Sequence, residues 1–164
     1  MANQAELDYI AAHGPYTNLR VLEIGSSHEF SARVRALVNA REYVSVDMRP
    51  HENTDIVHDL ENPLDIEPFD VILCMSVMEH VRRPWIMAPN IENLLKPGGL
   101  LLLSVPFWWR VHAYPDDYYR YTPSGIKAIF EGINFHSIVP VPPKTDLTAH
   151  QVTKVMLLAE GEKP

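Results

Sequence analysis

Two stretches of this chain carry side chains whose types and spacing could do chemistry. The first is VLEIGSSHEF, residues 21–30. An apolar run holding the Glu23 carboxylate meets Gly25, which lets the chain turn without a side chain in the way. Ser26 and Ser27 then offer backbone N–H groups and hydroxyls where a helix would start. Asp47 follows 22 residues after the glycine (47 − 25), near the spacing at which a carboxylate accepts from ribose hydroxyls. A pyrophosphate would need further glycines for close backbone approach. Here the later positions are Ser27, His28 and Glu29, and Glu29 adds negative charge. A ligand with an adenosine end and a cationic end suits this stretch better than a dinucleotide. A tight strand-to-helix turn with no ligand would read the same way.

The second stretch is PFWWRVHAYPDDYYRYTP, residues 106–123, too polar and too aromatic for an ordinary connector. His112 and Asp116 are candidate general bases for an acceptor hydroxyl or amine. Arg110 and Arg120 are candidates to hold an anionic group. Trp108, Trp109, Tyr118 and Tyr119 could stack on a ring or sugar face. The structural alternative is a folded lid in which Arg120 pairs with Asp116 or Asp117 and the aromatics cover a ligand. His51 and His58 flank a short apolar run, and His112 precedes Asp116 by four residues, but none has the paired ligand spacing of a zinc site. No metal is expected. Arg82 and Arg83 are two charges at a helix start, not a nucleic-acid surface.

These residues need elements to position them. LRVLEI (19–24) and FDVILCM (69–75) are continuous apolar runs bounded by turn residues, as in buried parallel strands. YVSVD (43–47), DIVH (55–58) and LLLLSV (100–105) read as further strands, and FHSIVPV and QVTKVMLLAE as two closing ones. Residues 5–12 could form a short helix, and Phe30, Val34, Leu37 and Val38 mark one helical face. Pro84 opens a helix to Leu95 that Pro89 should kink or split, and KPGG (96–99) should stop it in a turn. Thr122 with Pro123 predicts an N-cap and first helical residue, with Gly132 at the end of that helix. Between YVSVD and DIVH there is no room for a crossover helix. The order predicts an α/β sheet, mostly parallel, in which the last two strands pair antiparallel at one edge. VPPKTDLTAH (141–150) is then a loop between them, and residues 1–164 form one domain.

The bulk numbers set limits. With 164 residues, one core can form, burying roughly 70% of the unfolded surface. A hydrophobic share of 46% with 21% charged residues is that of a soluble globular protein. A net charge of −7 does not attract polyphosphate, so nucleic acid is not expected as a partner. The single cysteine, Cys74, excludes an internal disulfide, which fits a reducing compartment. It sits in an apolar run, as a buried small hydrophobe would. The N-terminus shows no secretory signal pattern and no apolar run is long enough to span a bilayer, so a cytoplasmic protein is expected.

Taken together, VLEIGSS, SVDMRP, HDL, FDVILCMSVMEHV and LLKPGGLLLLSVP resemble a class I S-adenosylmethionine-dependent methyltransferase, closest to the broad type 11 methyltransferase-domain group, from about residue 19 to 131. The resemblance implies a Rossmann-like seven-stranded sheet of order 3-2-1-4-5-7-6 with an antiparallel C-terminal hairpin and few helices. It implies S-adenosylmethionine as cofactor. Glu23, Gly25 and Ser27 would line its methionine end, beside Ser26; Asp47 would hold the ribose hydroxyls, with Met48 near the adenine. Asp59 and Leu60 would meet the adenine edge; read alone, Asp59 is equally a loop cap. Cys74, Met75 and Ser76 would sit beside the sulfonium, with His80 near. The loop departs from the family pattern where Ser27 and Glu29 replace glycines.

The expected reaction is in-line methyl transfer to a small molecule or sugar, with Trp108, Arg110, Tyr118, Tyr119 and Arg120 toward the substrate. A macromolecular acceptor would require a partner chain, and a homodimer could cover the open side of the site. A non-catalytic adenosylmethionine-binding scaffold is the reading the glycine-poor loop favours. A nicotinamide dehydrogenase is not supported, because GxGxxG is missing.

Overall fold

The structure is a computed structural model that describes residues 4–26, 28–112, 116–141 and 155–164. Seven strands form one sheet: β1 (Arg20–Ile24), β2 (Glu42–Asp47), β3 (Ile56–Val57), β4 (Phe69–Met75), β5 (Leu95–Trp108), β6 (Asn134–Val141) and β7 (Val155–Glu162). Their order is β3-β2-β1-β4-β5-β7-β6. The first five run parallel, whereas β7 pairs antiparallel with both β5 and β6. Order and hairpin are those expected from the sequence.

Helices α1 (Gln4–Ala12) and α2 (His28–Val38) cover one face, and α3 (Pro84–Asn93) and α4 (Pro123–Ile129) the other. Strand alternation assigns the two cores. Val21, Val71, Leu73 and Leu102 pack toward α1 and α2, while Leu22, Ile72, Leu101 and Leu103 pack toward α3 and α4. On α2, Val34 and Val38 are buried, but Leu37 is 41% exposed, so the apolar face is narrower than the sequence pattern suggested. β3 is only two residues long, and residues 48–55 reach it from β2 with no helix between.

Three local expectations change. Pro89 lies inside a continuous α3. It removes only the bond to the Trp85 carbonyl, and Trp85 is itself exposed. The segment 96–99 belongs to β5: Phe69 pairs with Leu95, then the register slips and Val71 pairs with Leu100. The slip interrupts the regular ladder, with Gly98 at φ +73°. Helix α4 stops at Ile129, before Gly132, because Phe130 leaves helical geometry and buries its ring. Thr122 caps α4 as predicted, its Oγ1 accepting from Gly125 N at 3.0 Å. Residues 142–150 of the predicted closing loop lie outside the described residues.

Candidate functional site

Strands β1, β4 and β5 end at one edge of the sheet, and the predicted site residues gather there. Gly25 turns the chain out of β1 at φ +85°, and its N–H donates to Val46 O at 2.9 Å. A Cβ there would come within 2.5 Å of Val77 Cγ2, so both the backbone conformation and the space demand glycine. Ser26 is buried, and its hydroxyl lies 2.5 Å from Thr54 Oγ1, tying this turn to the link between β2 and β3. Ser27 lies outside the described residues. Glu23 points into the layer under α2, where it accepts from Ser31 Oγ; burial raises its carboxyl above the usual range.

Asp47 ends β2. Its Oδ1 accepts from Arg49 N at 2.9 Å, and its carbonyl accepts from His58 N at 2.8 Å. Met48 beside it is 55% exposed, an apolar side chain open at the surface. Asp59 caps its own turn, Oδ1 accepting from Glu61 N at 2.9 Å. Leu60 is core, and its carbonyl accepts from Asn90 Nδ2 at 2.8 Å.

At the end of β4, Cys74 is fully buried and its thiol is pushed well above its ordinary value by burial. Met75 is buried too. Ser76 adopts φ +54°, rare for a residue with a Cβ. Two contacts hold it there: its N–H donates to Ser104 Oγ at 2.9 Å, and its own hydroxyl donates to Glu6 Oε1 at 2.8 Å. Ser104 Oγ also donates to Glu6 Oε1. Glu6 comes from α1, is 2% exposed, and its Oε2 has no hydrogen-bond partner among the described residues. The sequence reading missed Glu6. The available signal was that it precedes Ile10 by four residues, placing it on the buried helix face.

Immediately beyond, Met78–His80 form a 3₁₀ turn, and the lid bonds to it and to Arg82 just after it. Tyr121 OH donates to Met78 O at 2.8 Å, Tyr118 N to Glu79 O at 2.8 Å, and Tyr119 OH to Arg82 O at 3.1 Å. His80 Nδ1 lies 2.6 Å from Asp116 O, and since a carbonyl only accepts, the proton sits on Nδ1. Burial lowers the His80 imidazole below its ordinary value. Glu79 is 1% exposed, burial pushes its carboxyl up to about 8, and Oε2 has no hydrogen-bond partner among the described residues.

The carboxylate beside His112 is Asp117, not Asp116. Asp117 Oδ2 accepts from His112 N at 2.8 Å and lies 3.1 Å from His112 Nδ1. Arg120 grips the same carboxylate with both terminal nitrogens, Nη2 at 2.7 Å from Oδ2. That guanidinium also donates to the carbonyls of Tyr119 and Arg110, at 2.7 and 3.2 Å. Its terminal nitrogens are therefore bonded inside the lid. The Arg120 hydrogen bonds hold the Asp117 carboxyl down at about 2. The Asp116 carboxylate instead accepts from Tyr118 OH at 2.8 Å. Its carboxylate is turned to Tyr118, and the backbone of Asp116 is what serves His80. Trp108, at the end of β5, is 61% exposed; Arg110 lies over the Trp109 ring at 5.8 Å. Tyr118 and Tyr119 have ring centroids 6.2 Å apart.

A family model described as a methyltransferase domain matches residues 2–138 of the chain. The ubiquinone biosynthesis O-methyltransferase of Xylella fastidiosa (strain 9a5c) is 30% identical over 118 residues, covering 62% of this chain and 48% of that protein. The chain thus spans about half the length of the curated relatives it matches. Two solved structures show the same fold. One is the 1,6-didemethyltoxoflavin-N1-methyltransferase of Burkholderia thailandensis, with bound 1,6-didemethyltoxoflavin and S-adenosylhomocysteine: TM-score 0.74, 17% identity, 98% of this chain and 77% of that one. The other is the N-methyltransferase NodS of Bradyrhizobium japonicum WM9 in complex with S-adenosyl-L-homocysteine: TM-score 0.69, 17% identity, 99% and 89%.

Proposed function

Because the chain belongs to the methyltransferase-domain family, whose fold is that of class I S-adenosylmethionine-dependent enzymes, we propose that it transfers a methyl group from that cofactor to a small-molecule acceptor, a phenol or a sugar hydroxyl. The observation that carries this reading is the lid. Its residues 116–121 are stitched to the turn after β4, and they bring the His112–Asp117 pair to the carboxyl end of the sheet.

The residues fit the cofactor. Gly25 gives a turn with no side chain, and Asp47 stands at the end of β2 for a ribose. Glu6 presents a buried carboxylate oxygen with no hydrogen-bond partner among the described residues, which a cationic ligand would satisfy. Asp47 would hold the ribose hydroxyls, Met48 would cover the adenine, and Ser76 with Glu6 would face the methionine end. When bound, the cofactor supplies a methyl group already activated for displacement. The protein's part is alignment, and the removal of a proton where the acceptor is a hydroxyl. His112, beside Asp117, would take it. Asp117 acts through His112: it orients the ring and stabilises its protonated form, while Arg120 holds Asp117. The aromatic rings of Trp108 and Tyr118, both exposed, offer stacking faces for the acceptor.

The test has two stages. Calorimetric titration with S-adenosylmethionine and S-adenosylhomocysteine should show binding that Asp47→Ala removes. A methyl-transfer screen of catechols and monosaccharides should then yield turnover that falls in His112→Ala. Binding without turnover on any acceptor class would move the scaffold reading, motivated by the glycine-poor loop, to first place.

A further inference from the structure

We propose that Glu79, His80 and His112 form a binding site for one divalent transition-metal ion of the zinc type, where the lid meets the turn after β4. One ligand atom from each of the three lies within 4.8 Å of the other two. Two ligands about 2.1 Å from a tetrahedral ion sit roughly 3.4 Å apart, so the triad closes on an ion by moving little more than an ångström. His80 Nε2 and Glu79 Oε1 are already 3.8 Å apart. The two imidazole rings stand edge to face, with centroids 4.9 Å apart at 84°.

What separates this triad from a chance cluster is the second layer around it. Histidines that hold metals donate the other ring N–H to a carbonyl or carboxylate, which fixes the tautomer. Both rings here are prepared in that way. His80 Nδ1 is on the Asp116 carbonyl at 2.6 Å. His112 Nδ1 lies 3.1 Å from Asp117 Oδ2 and 3.3 Å from Arg110 O. In each ring the lone pair is left on Nε2. Asp117 is itself fixed by Arg120, so the support extends one layer further. The third ligand supplies an independent sign. Glu79 is 1% exposed, and Oε2 has no hydrogen-bond partner among the described residues. A cation bound there would displace the carboxyl proton and satisfy that oxygen.

Two imidazoles and one carboxylate favour zinc, iron(II), cobalt(II) or nickel(II) over magnesium and calcium, which prefer all-oxygen sites. Three protein ligands also leave a coordination position open. With the ion in place, His112 would be a ligand and would not itself take the acceptor proton. The two readings share His112, and they are told apart because metal binding is measured without cofactor or acceptor.

The experiment uses the full chain, stripped with chelator and dialysed. It is titrated with Zn²⁺ by calorimetry and with Co²⁺ by visible absorption. One ion per chain is expected, with the absorption of a tetrahedral or five-coordinate cobalt ion, and a large excess of Mg²⁺ should not displace it. His112→Ala and His80→Ala should each weaken binding at least tenfold, and Asp117→Asn about 10- to 100-fold through the ring it orients. His58→Ala, directly after β3 and outside the triad, should change nothing. Circular dichroism reports whether each variant is folded, and His112→Ala, in the lid, keeps the test decisive if Glu79→Gln does not fold. The proposal is overturned if no stoichiometric binding occurs. It is equally overturned if folded His80→Ala and His112→Ala proteins bind like the parent, or if His58→Ala loses the ion as they do.

Discussion

Replacing Asp117 by asparagine removes one charge from the lid and keeps the side chain's shape. Its consequence can be worked from the structure. The carboxyl is held at about 2 against an ordinary 3.8, chiefly by the Arg120 hydrogen bonds. At about 1.4 kcal/mol per pH unit, that difference is worth about 2 kcal/mol in favour of the folded, ionised form. The side chain is 1% exposed, so water does little to screen it. For a protein of this size the loss should lower the thermal midpoint by about 4–8 °C at neutral pH. The sign with pH follows from a folded value below the unfolded one. The contribution is complete above about pH 4 and fades as pH falls toward 2. Urea unfolding of parent and Asp117→Asn proteins at pH 7 and pH 2.5 measures it. A gap of about 2 kcal/mol at pH 7 that shrinks to under about 1 kcal/mol at pH 2.5 is expected. Equal stabilities at pH 7, or a gap as large at pH 2.5 as at pH 7, would refute the claim that the Arg120–Asp117 charge pair orders the lid.

Three further outcomes follow from the same geometry. Asp47→Ala should lose S-adenosylhomocysteine binding by calorimetry while its circular dichroism spectrum is retained. Gly25→Ala should be destabilised by about 1–3 kcal/mol in urea, because of its positive φ and the 2.5 Å approach to Val77 Cγ2, and should lose cofactor binding with it. Cys74, fully buried with its thiol pushed up, should resist alkylation at pH 8 in the folded protein and react only in denaturant.

The residue pattern carried the order of the elements by itself. The apolar runs at 19–24, 69–75 and 100–105 could only be buried strands, and the short gap between Asp47 and Ile56 excluded a crossover helix. The positions of Gly25 in a turn and Asp47 at a strand end were legible as well, because turn residues and strand ends are local properties of the chain. The lid was legible only as a place. Its composition announced chemistry, yet two adjacent aspartates look alike in a sequence. Which of them meets His112 depends on the direction in which the segment crosses the 3₁₀ turn, and the structure puts Asp117 there and turns the Asp116 carboxylate to Tyr118. Glu6 and Glu79 stayed hidden for a different reason. A carboxylate becomes notable only when burial removes its water, and burial is a property of packing: α1 laid over β4 and β5, and the lid closed over residues 78–80. Glu79, His80 and His112 likewise come from segments more than thirty residues apart, so no spacing rule connects them. Periodicity and turn chemistry act between neighbours in the chain and were determined by the sequence; the company that a charged group keeps is decided across the fold, and only the tertiary structure decided it.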